Sequence, residues 1–106
     1  MNIISQHIDQ INLLCELNSV RSLYSFGSVN TERFDAQSDI DFIVDIDDND
    51  PISYSEKYFN LKFNLEDLLK RQIDLLESKA IRNRFLKSEI DRTKVFIYGK
   101  RDSDVA

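Results

Sequence analysis

At 106 residues, 42% hydrophobic and 31% charged, the chain can bury one modest core and has no room for a second domain. Its net charge of −5 excludes a broad surface for tracking nucleic-acid phosphates, which needs clustered Lys and Arg. A single cysteine excludes a disulfide framework and a cysteine-built zinc cluster; no apolar run reaches bilayer length and nothing resembles a signal peptide, so a cytoplasmic protein is expected.

Residues 4 to 18 carry Ile4, Ile8, Ile11 and Cys15 at helical spacing and read as a first helix, with Cys15 in the core. A short strand over Ser22 to Phe26 runs into Gly27, and Ser28 is placed to cap a helical segment over 29 to 34. Asp35 to Ser38 reads as a polar loop, 39 to 46 as a strand and Asp47 to Pro51 as a turn. Tyr58, Leu61, Leu65, Leu68 and Leu69 predict a long helix from Tyr54 to Arg71. Ile73 to Leu76 reads as a strand, Ile81 to Arg92 as a helix pairing Ile81 with Phe85, and Lys94 to Tyr98 as a closing strand. Strands alternating with helices imply an α/β or α+β domain over 1 to 99 with one sheet of about four strands; 100 to 106 read as a flexible tail.

The chemistry concentrates in Ser38-Asp39-Ile40-Asp41. On a strand Asp39 and Asp41 share one face, about 7 Å apart at Cα, while Ile40, Phe42, Val44 and Ile46 face the core. Two neighbouring carboxylates repel unless a cation lies between them, and a hard divalent ion such as Mg²⁺ suits that position. Asp74 alternates with Ile73 and Leu75, so on an adjacent strand it would bring a third carboxylate to the same place, the donor set for two-metal phosphoryl chemistry.

Two other charge patterns are read as less specific. Asp45, Asp47, Asn49, Ser53 and Glu56 fall at calcium-loop spacing, but Asp50 and Pro51 stand where that loop needs a glycine turn, and a solvated acidic turn is expected. Lys70, Arg71, Lys79, Arg82, Arg84 and Lys87 form either a solvated helix face or a cationic wall near a triphosphate or an acidic partner.

Gly27-Ser28, a ten-residue spacer and Asp39-Ile40-Asp41, followed by Ile73-Asp74-Leu75-Leu76 and a Val-Phe-Ile-Tyr-Gly ending, resemble the DNA polymerase beta-like nucleotidyltransferases. At this length the resemblance is to the minimal nucleotidyltransferase (MNT) branch, of the MntA-like antitoxin type, and it runs from about Leu23 to Tyr98. It implies a nucleotidyltransferase fold with a mixed sheet, Mg²⁺ held by the catalytic Asp39, Asp41 and Asp74, and Gly27 and Ser28 on the β- and γ-phosphates of ATP. It also implies transfer of AMP to a hydroxyl of a HEPN-domain ribonuclease toxin, which silences that partner. Family members often carry Ala-Arg-Gly where this chain has Asn30-Thr31-Glu32, with Arg33 later. The alternatives are a module that neutralises its partner by contact alone and a transferase for a small-molecule acceptor.

Overall fold

The structure is a computed structural model whose described residues are 2 to 99; the expected tail at 100 to 106 lies outside them. Two short N-terminal helices, α1 (Ile3–Gln6) and α2 (Ile8–Leu17), stand where the periodicity predicts one. His7 causes the break. Its Nδ1 lies 2.9 Å from the Ile3 carbonyl, so its backbone N–H donates instead to Ile4 O, a tighter turn than the α-helical one. Ile4, Ile11 and Cys15 still reach the core, as their spacing predicts, and burial pushes the Cys15 thiol up to about 12.

Strand β1 (Val20–Phe26) ends in one 3-10 turn, Gly27–Asn30, and not in the expected helix over 29 to 34. The Thr31 hydroxyl takes the Ser28 carbonyl at 2.9 Å, and Thr31 itself is extended, which stops the turn. Strand β2 (Ile40–Ile46) follows, burying Ile40, Phe42, Val44 and Ile46. Helix α3 (Pro51–Leu69) starts three residues before the expected Tyr54: Asp50 caps it by accepting from Ser53 N at 3.0 Å, and Pro51 occupies the first turn. Lys70, in the left-handed region at φ 55, ends it.

Strand β3 (Ile73–Glu77) then leads through a short 3-10 turn into α4 (Arg84–Thr93) and β4 (Val95–Gly99). The helix starts at Arg84 because Asn83 caps it, accepting from Phe85 N and Leu86 N. Ile81 is therefore outside the helix, and Phe85 is 86% exposed instead of pairing with it.

The four strands form one mixed sheet ordered β3-β2-β1-β4, with β2 and β3 parallel and the other pairs antiparallel. Helices α2 and α3 cover the face carrying Phe42 and Val44, where Leu61, Leu65, Leu69, Leu23, Ile73 and Leu75 complete the core. The opposite face carries Asp41 and Asp74 together with Ile43 and Tyr24, and α4 borders it through the buried Ile90. Among the described residues no helix is long and apolar enough to cross a membrane.

Candidate active site

The parallel pairing of β2 with β3 places Asp41 directly beside Asp74, one register pair beyond Ile40 and Ile73. Residues in the same register on neighbouring strands point to the same face, so both carboxylates stand on the sheet surface away from the core. Asp39 lies one residue before β2, exposed, at the open end of the same edge. The expected third carboxylate is thus delivered by strand register. The side chains do not close into a cage: no three acidic, His or Cys side chains among the described residues are gathered as ready metal ligands. The charges of Asp74 and Asp39 act unfavourably on that of Asp41.

Their electrostatics show the same strain. Asp41 has its carboxyl pushed up to about 6, first by partial burial and then by the charges of Asp74 and Asp39. No Lys or Arg forms an ion pair with any of the three among the described residues. Oxygen donors alone, with no Lys or Arg paired to them among the described residues, are a set that fits a hard divalent ion.

Gly27 completes this corner. Phe26 pairs with Asp41 across β1 and β2, and at the next position a Cβ would lie only 2.9 Å from Asp41 Oδ2. Its φ of +75 also belongs to the left-handed region. Glycine therefore lets the backbone turn tightly against the carboxylate. Ser28 follows on the same turn, half-exposed, and donates no side-chain bond among the described residues.

One partner of this turn carries no local signal. Gly27 N–H donates to Thr93 Oγ1 at 3.2 Å, and Asn30 Nδ2 donates to Thr93 O at 3.2 Å, so the end of α4 holds the turn from 66 residues away in sequence. Asn30 also accepts from Ser25 Oγ at 3.3 Å. The residue at the departure from Ala-Arg-Gly thus serves as a structural tie.

Apart from the exposed Arg84, the late basic residues are tied to local partners and do not form a free cationic wall. Lys79 reaches Asp45 at 3.7 Å, Lys87 reaches Asp91 at 3.3 Å and Lys70 reaches Asp67 at 3.5 Å. Arg82 donates to the Lys79 and Ile81 carbonyls, and Arg71 to those of Asp35 and Ser38. The residues at calcium-loop spacing are likewise used internally: Asp45 and Asp47 pair with Arg21 at 3.3 and 2.7 Å, and Ser53 Oγ donates to Asp48. A cleft of about 210 Å³ lies on the Asp41 side of the sheet, lined by Tyr24, Ile43, Ile81, Ile90, Lys87 and Asp91.

Comparison with known proteins adds three findings. The family model for polymerase beta, nucleotidyltransferase, matches residues 9–103. Two candidate protein adenylyltransferases of Methanocaldococcus jannaschii are 33% and 34% identical over 85 residues, covering 80% of this chain and 84% of each relative. Among solved structures, a toxin-antitoxin complex with AMP-PNP superposes with TM-score 0.69 at 24% identity, over 92% of this chain and 77% of that one. An MNT antitoxin bound to a tri-AMPylated Shewanella oneidensis HEPN toxin gives TM-score 0.64 at 22% identity, over 94% and 76%. A candidate minimal nucleotidyltransferase gives 0.70 at 21%, over 90% and 95%. These three likenesses establish a shared nucleotidyltransferase fold.

Proposed function

Because the chain belongs to the polymerase beta nucleotidyltransferase family, we propose that it is a cytoplasmic Mg²⁺-dependent transferase of AMP from ATP to a hydroxyl of a protein acceptor. The acceptor in this reading is a HEPN-type ribonuclease toxin, which the modification inactivates. The observation that carries it is the Asp41–Asp74 register pair, with Gly27 against Asp41 and, among the described residues, no Lys or Arg in an ion pair with either acid. The M. jannaschii relatives support protein as the acceptor class, and the AMPylated toxin complex supports the partner.

In the proposed reaction the acceptor hydroxyl oxygen attacks the α-phosphorus in line. The bond to the bridging oxygen breaks, pyrophosphate leaves, and the hydroxyl proton passes to a carboxylate, for which exposed Asp74 is suited. Asp39, Asp41 and Asp74 would hold Mg²⁺, which when bound neutralises phosphate charge. Gly27 and Ser28 would face the β- and γ-phosphates, Gly27 by close backbone approach and Ser28 through its hydroxyl.

A second reading, neutralisation by contact alone, draws on a specific observation. Gly27 N–H is already bonded to Thr93, and Asn30-Thr31-Glu32 supplies no arginine to the phosphates. Incubation with Mg·ATP and the product of the adjacent gene, followed by intact-mass measurement of that partner, separates the two. The transferase reading predicts addition of one or more AMP masses, lost in Asp39→Asn and Asp41→Asn. A partner that is inhibited yet unmodified contradicts it and selects contact alone.

A further inference from the structure

The peptide groups on either side of Asp39 are both held by the two residues that lead into the strand of Asp74. The carbonyl of Ser38, in the peptide before Asp39, accepts from Arg71 Nη1 at 2.8 Å. The N–H of Ile40, in the peptide after it, donates to the Gln72 carbonyl at 3.1 Å. Fixing both flanking peptides fixes the backbone torsions of Asp39 itself, since the peptide units are planar and only φ and ψ lie between them. Consecutive residues 71 and 72 thus act as one bracket, and two positions further on stands Asp74.

Arg71 has more than one hold on this loop. The same Nη1 also meets the Asp35 carbonyl at 2.8 Å, and the guanidinium lies 4.5 Å from the centre of the Phe34 ring. The loop is knotted from within: Asp35 Oδ1 accepts from Gln37 N at 2.9 Å and from Ser38 Oγ at 3.1 Å, while Ser38 Oγ accepts from Asp35 N. Those bonds, with the nearby Arg71 charge, hold the Asp35 carboxyl below its usual range. Arg71 therefore grips a preformed unit whose last peptide is that of Asp39. Both carbonyls accept from the one Nη1, whose two N–H bonds diverge at a fixed angle in the guanidinium plane, an arrangement that a freely rotating ammonium would hold less well.

We propose that Arg71 is a positioning residue for the carboxylate site, locking Asp39 in a fixed relation to Asp74 so that the two can share a divalent cation. This rests on the reading of those acids as metal ligands. Residues that orient metal ligands without touching the ion typically matter by about 10- to 100-fold in affinity.

The test uses the full chain and Mn²⁺ as the probe, with free ion counted by its electron paramagnetic resonance signal and no nucleotide present. Arg71→Met, which keeps an unbranched side chain of similar reach while removing the guanidinium, is expected to bind Mn²⁺ about 10-fold or more weakly. AMP transfer should fall at limiting Mg²⁺ and recover at saturating Mg²⁺. Added guanidinium at non-denaturing concentration should restore part of the Mn²⁺ affinity in Arg71→Ala. Equal Mn²⁺ affinity in wild type and a folded Arg71→Met, even with a lowered Tm, would overturn the role of Arg71 and leave a merely structural one. Should Arg71→Met fail to fold, Arg71→Lys gives the same readout: a weakening of a few-fold supports the positioning role of the guanidinium, and wild-type affinity contradicts it. Wild-type protein that binds no Mn²⁺ would instead overturn the metal reading itself.

Discussion

Strand β2 carries acids at both ends, and the two ends are treated in opposite ways. At the far end, Asp45 meets Arg21 at 3.3 Å and Lys79 at 3.7 Å, Asp47 meets Arg21 at 2.7 Å, and Asp48 meets Lys57 at 2.7 Å. At the near end, Asp39 and Asp41, with Asp74 alongside, have no basic partner among the described residues. Charges that serve the fold are paired where they stand, whereas these three repel one another in the folded protein. The contrast shows in the acids themselves: Asp48 is drawn down to about 2, by its bonds to Lys57 and Ser53, and Asp41 is pushed up to about 6.

Removing charge at each end is the strongest way to probe this contrast. Asp41→Asn is expected to lower AMP transfer about a thousand-fold, since several kcal/mol of charge stabilisation at the transferring phosphate would be lost. The same variant should melt higher than wild type without metal, by about 1 kcal/mol once screening of a half-exposed group is allowed for. Asp48→Asn should do the reverse, lowering Tm and leaving transfer unchanged. Transfer assays and thermal melts on the two variants check the pair.

Gly27→Ala probes the near end sterically. A methyl 2.9 Å from Asp41 Oδ2 on a backbone at φ +75 should cost about 1–3 kcal/mol of stability and weaken nucleotide binding, measured by melting and by the KM for ATP.

The pH dependence is a smaller effect, and the two ends should give slopes of opposite sign. Because Asp41 is raised to about 6 from 3.8, the folded metal-free protein holds an extra proton between those values, so stability falls as pH rises from about 4 to about 6. Because Asp48 is lowered to about 2 from 3.8, its stabilisation is full above about 4 and is lost as pH falls toward 2. In melts across this range the wild type should show both slopes, while Asp41→Asn and Asp48→Asn should each lose one. Divalent metal should flatten the Asp41 slope in the wild type.

Much of this contrast can be read from local pattern. Alternation of Ile40, Phe42 and Val44 with Asp41, Ile43 and Asp45 fixes which face is buried, and the Ile73-Asp74-Leu75 triplet repeats it on the neighbouring strand. The long-range ties could not be read in the same way. Thr93 holding Gly27, and Arg71 holding Ser38, are bonds between residues 66 and 33 apart, and each looks locally like an ordinary helix-end residue. The helix boundaries that differ from expectation have local chemical causes: the His7 ring on Ile3 O, the Asp50-Pro51 cap and the Asn83 cap. Apolar periodicity marks where a helix packs, while the polar caps decide where it begins.

The most direct test of the account uses ATP radiolabelled at either the α- or the γ-phosphate, with Mg²⁺ and the partner protein. Label from the α-phosphate on the partner, none from the γ-phosphate, and none of either with Asp41→Asn is the predicted result. Label from the γ-phosphate, or α-label that persists in Asp41→Asn, would contradict AMP transfer by Asp39, Asp41 and Asp74.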